Sequence, residues 1–167
     1  MDFKEIKVIF SCKAFDKLFK CVAEAKGCYE IGGILLGHYY KHRYIVVDVS
    51  FPENQDKKSN ISFMIDSKKE TRSIEKLRKK YYLTPFPIGI WHSHVNGVET
   101  FSTQDKLSNQ KFCKAFGNSI SVIAVQSSIT KKIKLITYKI VAYSDEKCIQ
   151  TAIDMEEQIP KCYTELL

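Results

Sequence analysis

Apolar residues along the chain follow two spacings, and the switches between them predict its elements. Lys7-Val8-Ile9-Phe10 is a short run that reads as a strand. Ser11 then caps a helix whose apolar face recurs at Phe15, Leu18, Phe19 and Val22, with Gly27 as its stop signal. Ile31 to Leu36 and Tyr44 to Val49 read as a hairpin around Lys41-His42-Arg43. Phe51 to Asp56 breaks this pattern as a polar loop, and Ile61 to Ile65 resumes it as a strand. From Ser67 a basic amphipathic helix follows, with Ile74, Leu77 and Tyr81 on its inner side. Pro85 and Pro87 bound the turn before Ile88-Gly89-Ile90-Trp91, a short apolar strand. A helix opening at Ser102 and ending at Gly117 is expected to turn Leu107, Phe112 and Phe116 inward. Ile120 to Val125 and Ile133 to Val141 complete the strands.

This order predicts an α/β (mixed α+β) fold, with a central mixed sheet flanked by helices in a single domain over 1–143. Residues 144–167 are expected to form a tail. Ile149, Ile153 and Met155 mark a short helix there, which Pro160 interrupts. Docking on its own domain, docking on a partner, and fraying all stay open for it.

Composition narrows the class. A chain of 167 residues is long enough for one substantial core. It holds no repeats, low-complexity tracts or Gly/Ser/Pro linkers. No apolar signal core follows Met1 and no stretch is long enough to span a bilayer, so a cytoplasmic protein is expected. The six cysteines (12, 21, 28, 113, 148 and 162) form no C-x-x-C pair and read as free, mainly buried thiols. A net charge of +7 favours acidic partners, but no nucleic-acid motif accompanies it. Much of that charge gathers between Lys68 and Lys80, where it reads as the wet side of a helix or as a docking face.

The chemistry concentrates in His92-Ser93-His94, followed by Ser102 and Asp105 in the pattern H-S-H-x7-S-x2-D. Side chains at i and i+2 of a strand share a face, so both imidazoles can project together from the end of the apolar run. Ser102-Thr103-Gln104-Asp105 reads as a helix opening, with Asp105 one turn in. Two histidines and an aspartate meet the three-ligand count of a catalytic zinc site that keeps a position for water. Taken alone, Ser102 and Asp105 also fit an ordinary helix cap. The five residues together should arise by chance in roughly one chain in 10^4 to 10^5 of this length. Glu30 stands just before the glycine-rich strand Ile31-Gly32-Gly33-Ile34-Leu35-Leu36-Gly37. A carboxylate outside the metal's ligands suits a general base; a solvated strand-edge residue is the other reading. The paired glycines fit close backbone packing or a bulge. In the loop Val95 to Phe101, Val98 and Phe101 either touch a substrate tail or simply pin a surface loop.

E-x-G-G-x-L-x-G upstream of H-S-H-x7-S-x2-D resembles the JAB1/MPN domain of the JAMM metallopeptidases in its compact prokaryotic form, from about Val8 to Val141. The resemblance implies the JAB1/MPN fold and one zinc ion held by His92, His94 and Asp105. It implies Glu30 as general base and acid, and Ser102 as a stabiliser of the oxyanion. Its implied substrate is a peptide or isopeptide bond at the C-terminus of a ubiquitin-like modifier, with that modifier or its conjugate as partner. The implied setting is deconjugation or maturation in bacterial anti-phage (CBASS-type) conjugation systems. Two further readings are processing of a ubiquitin-fold sulfur carrier and a non-catalytic MPN scaffold that binds protein partners. The scaffolds usually lack a ligand, whereas this chain has all three. No nucleic-acid or membrane partner is expected.

Overall fold

The computed structural model describes residues 6–25, 29–40, 42–50, 68–95, 97–127, 129–140, 149–151 and 153–154, with backbone alone at 68–70, 73, 149–151 and 153–154. In chain order the elements are β1 (Lys7–Phe10), α1 (Cys12–Glu24), β2 (Gly32–Tyr40), β3 (Arg43–Val49), α2 (Lys68–Arg78), β4 (Phe86–His94), α3 (Thr103–Phe116), β5 (Ser119–Gln126), β6 (Ile133–Ile140), β7 (Ile149–Thr151) and β8 (Ile153–Asp154). Among the described residues the strands join one mixed sheet in the order β7-β6-β5-β4-β2-β3-β1-β8. β2 pairs antiparallel with β3 and β4, while β4 and β5 run parallel because α3 carries the chain across between them. This is the expected mixed sheet with helices against it. The polar loop expected at 51–56, the strand at 61–65 and the stop at Gly27 lie outside the described residues.

The two faces of the sheet are covered by different helices. Ser11 caps α1 by accepting from the Ala14 amide at 3.1 Å, and donates its own proton to the Val47 carbonyl. One bond starts the helix and the other fixes its start against β3. Ala14, Leu18 and Val22 then recur every fourth residue and pack on Leu35, Val46, Trp91 and Val122. The opposite face places Ile34, Leu36 and Ile90 under Phe112 of α3, with Ile74 and Leu77 of α2 at the border. Helix α1 ends at Ala25, ahead of the expected glycine stop.

Several expectations need correction. The inner stripe of α3 is Ser108, Asn109, Phe112 and Cys113, whereas Leu107 and Phe116 are about half exposed. Asp105 faces the sheet, and one helical turn onward from it leads to 108 and 109, not 107. Tyr81 is buried but lies beyond the end of α2. Its hydroxyl donates to Asp48 of β3 at 2.6 Å, and Lys17 of α1 pairs with the same buried carboxylate at 2.7 Å. Burial, followed by this bond to Asp48, pushes the Tyr81 hydroxyl well above its ordinary value. Pro87 falls inside β4, paired with Leu36 where the register shifts at a β-bulge, a place where a strand tolerates proline. Cys12 is exposed and Cys21 half-buried; of the described thiols only Cys113 is buried.

The tail correction matters for the architecture. The expected helix through Ile149 and Ile153 is replaced by two short strands separated by a single residue. β7 pairs with β6, at one end of the sheet order, and β8 pairs with β1, at the other. One stretch therefore meets both outer strands, and the sheet curls toward closure around α1. β-branched Ile149, Thr151 and Ile153 favour that extended pairing over a helical turn.

Gly33 shows how tightly the centre is built. The Trp91 indole, fully buried, donates to the Ser50 carbonyl at 3.0 Å across β2. A Cβ at Gly33 would come within 1.8 Å of that carbonyl oxygen and 2.8 Å of the indole nitrogen. Backbone is on one side and a locked ring on the other, so neither can yield. Gly33→Ala is expected to cost about 3 kcal/mol of folding stability. Urea denaturation followed by Trp91 fluorescence checks it; a variant within experimental error of the wild type would show that the contact relaxes freely.

Candidate metal centre

The strand β4 carries both imidazoles. Ile90, His92 and His94 alternate with Gly89, Trp91 and Ser93, so the histidines share the face covered by α3 and both are buried. They lie inside the strand, not beyond its end, because β4 runs on through His94.

Helix α3 delivers the carboxylate. Ser102 is its N-cap, and its hydroxyl accepts from the Asp105 amide at 3.2 Å. The Asp105 carboxylate reaches back to accept from the Ser102 amide at 2.7 Å and from the Ser102 hydroxyl at 2.6 Å. This is a complete capping box, so the cap reading of Ser-x-x-Asp is realised, and it leaves the Asp105 carboxylate beside the two histidines. The cap satisfies the first turn of the helix and also holds Asp105 in the rotamer that meets the histidines.

The three side chains converge. The two Nε2 atoms are 2.9 Å apart; Asp105 Oδ1 lies 3.3 Å from that of His92, and Oδ2 lies 3.5 Å from that of His94. All three candidate donor atoms fall within 4.8 Å of one another. Burial alone would raise the Asp105 carboxyl, but the bonds from His92, His94 and Ser102 overcome it and hold the group far below the usual carboxylate range. His94 is raised, first by its bond to Asp105; burial opposes this, and the Val98 carbonyl and the charge of Glu30 add to it.

The outer ring nitrogen of His94 bears on whether this set suits a metal, while that of His92 is buried without a hydrogen-bond partner among the described residues. His94 donates from Nδ1 to the Val98 carbonyl at 2.7 Å, so the neutral ring carries its lone pair on Nε2, the atom that bonds Asp105 when the ring is protonated. Metal-bound histidines are ordinarily fixed in this manner. One proton between two nitrogens 2.9 Å apart makes an N–H···N bond that leaves the carboxylate out, whereas a cation among them engages all three groups. Two neutral nitrogens and one carboxylate oxygen are the donors zinc takes in open sites. The residues fit the metal.

Glu30 reaches the site through the register of β2. Gly32 pairs with His92. Ile31 and Ser93 are then joined twice, by the Ser93 amide donating to the Ile31 carbonyl at 2.7 Å and the Ile31 amide donating to the Ser93 hydroxyl at 3.0 Å. Continued one residue further, this register brings Glu30 toward His94, which its charge reaches. It is exposed. Ser93 therefore aligns the two strands, a role that the sequence pattern does not reveal. The Val98 carbonyl was equally hidden, since a backbone acceptor leaves no trace in residue type. Phe101 is half-buried with its ring 6.2 Å from that of His92, while Val98 is half exposed. A groove of about 760 Å³ lined by Tyr40, Ile74, Arg78, Phe86 and Phe116 lies toward the opposite ends of β2 and β4 and includes none of these residues.

Comparison with known proteins agrees with this fold. A protein from Desulfitobacterium hafniense, solved in solution, is similar in fold: TM-score 0.66 at 18% identity, covering 93% of this chain and 97% of that one. No curated protein matches the chain. Among the described residues no helix is long and apolar enough to cross a membrane. Residues 20–136 match the family of prokaryotic homologs of the JAB domain, and the chain belongs to that family.

Proposed function

We propose that this protein is a zinc-dependent peptidase that hydrolyses the peptide or isopeptide bond following the C-terminus of a ubiquitin-like modifier. The observation that carries the reaction class is the convergence of His92, His94 and Asp105, with the charge of Glu30 near enough to act on His94. The substrate class, and a setting in bacterial anti-phage conjugation, rest on the family resemblance alone. The presence of all three ligands favours an enzyme over a scaffold.

His92, His94 and Asp105 would hold the metal. When bound there, zinc acidifies a water and polarises the scissile carbonyl. Glu30 accepts the proton of the attacking water and returns it to the departing amine, whether a main-chain nitrogen or a lysine side chain. Its exposed position suits a group that must meet both water and leaving group. Ser102 supplies a hydrogen bond to the developing oxyanion. Its single proton is shared with Asp105 at 2.6 Å in the resting enzyme, so catalysis requires it to turn as negative charge builds on the substrate. Ser93 is occupied by Ile31 and is not placed as a nucleophile.

Three outcomes are expected. Elemental analysis of the purified chain should find one zinc per molecule, and His92→Ala or Asp105→Ala should abolish it; a folded wild type that refuses zinc would overturn the enzyme reading and favour the scaffold. Glu30→Gln should keep the metal and lower cleavage by about 10^2- to 10^4-fold. The assay is mass spectrometry of ubiquitin-fold proteins extended beyond, or lysine-linked through, a C-terminal Gly-Gly; full activity in the variant sinks the base assignment. Release from lysine marks deconjugation, and trimming of a free carrier protein marks the sulfur-carrier alternative. Ser102→Ala should lose about 1 kcal/mol of stability through the cap and about 10^2-fold in kcat. Loss of stability with kcat intact would leave Ser102 a cap alone.

A further inference from the structure

We propose that Tyr138 on β6 is a positioning residue for the metal ligands, acting through the loop that joins β4 to α3. The inference rests on the zinc reading above. Residues 97–100 of this loop are exposed, and Gly97 has a positive φ of 71°, so the loop has no buried anchor of its own there. Two of its groups nonetheless touch the histidines. The Val98 carbonyl accepts from His94 Nδ1 at 2.7 Å, and the Phe101 ring lies beside His92.

What holds these groups in place comes from β6. The Tyr138 hydroxyl donates to the Glu99 carbonyl at 2.9 Å, one residue after the carbonyl that orients His94. The Tyr138 ring also packs on Phe101, with centroids 4.5 Å apart. A single side chain thus grips the loop at both points that matter. Lys134 of β6 adds an ion pair to the Glu99 carboxylate at 2.9 Å, but both partners are more than half exposed. Such pairs contribute little, which leaves Tyr138 as the main clamp.

The clamp does two things at the site. It keeps the Val98 carbonyl in line with the His94 N–H, which presents the Nε2 lone pair inward. It also keeps the Phe101 ring against His92, which limits how that imidazole can rotate. Without it, the loop is free to move and His94 can adopt the other tautomer, with its proton where the metal should be.

The test compares Tyr138→Phe, which removes the hydroxyl and keeps the ring, with Tyr138→Leu, which removes both, and Lys134→Ala as a control. Zn2+ affinity is read by competition with a chromophoric chelator, and Co2+ loading by its visible absorption. Tyr138→Phe should weaken Zn2+ binding about three- to tenfold, Tyr138→Leu more, and Lys134→Ala less than about twofold. Metal-free melting temperature should change little in Tyr138→Phe, and the cobalt spectrum should shift. Equal loss of metal-free and metal-bound stability with unchanged Zn2+ affinity would reduce Tyr138 to a packing residue. A second readout does not depend on metal. At alkaline pH, nitrogen NMR of the metal-free wild type should show His94 protonated on Nδ1, with Tyr138→Phe and Tyr138→Leu admitting the Nε2 form. An unchanged tautomer in both variants overturns the clamp. Absence of zinc from the wild type, with the tautomer shift still present, overturns the metal reading and leaves the clamp standing.

Discussion

The pairing of β2 with β4 is the constraint on which the site depends. A strand presents alternate residues to opposite faces, so a slip of one position would turn every side chain over. With Gly32 opposite His92, the register brings Glu30 toward His94. That register is fastened at several neighbouring points. Ser93 and Ile31 exchange two hydrogen bonds, and the Ser50 hydroxyl and carbonyl serve the Ile34 amide and the Trp91 indole. Gly33 is the space through which the last of these passes. The glycine pair thus supports the chemistry indirectly, as room for backbone to approach backbone.

The second support is economical in a different way. A helix start needs acceptors for its free amides, and a metal site needs an oriented carboxylate. Asp105 meets both needs at once, because the capping box that satisfies Ser102 also aims the carboxylate at the two imidazoles. The first turn of α3 and the centre are therefore coupled: loosening one releases the other.

The candidate ligands were legible because their chemistry fixes residue type, and because strand and helix periods place them predictably. His92 and His94 follow from the i, i+2 rule, and Asp105 from the cap signature. Most strands were legible for the same reason, as apolar runs between turn signals. What escaped was set by tertiary contact. Leu107 and Phe116 are apolar yet face outward, because Asp105 had already fixed which side of α3 meets the sheet. The stretch from Ile149 to Asp154 carries spacing that suits a helix, but two outer strands with unpaired backbone groups draw it into extended form. Tyr138 and the Val98 carbonyl belong to the same category, since a clamp built from one hydroxyl and two main-chain oxygens has no sequence signature.

The curl of the sheet has a consequence for solubility. Open β-edges are templates on which other chains can add strands and grow aggregates. Here the three residues of β7 pair along β6 and the two residues of β8 pair along β1. By pairing part of each of these strands with its own backbone, this fold leaves less of β6 and β1 open to such templating.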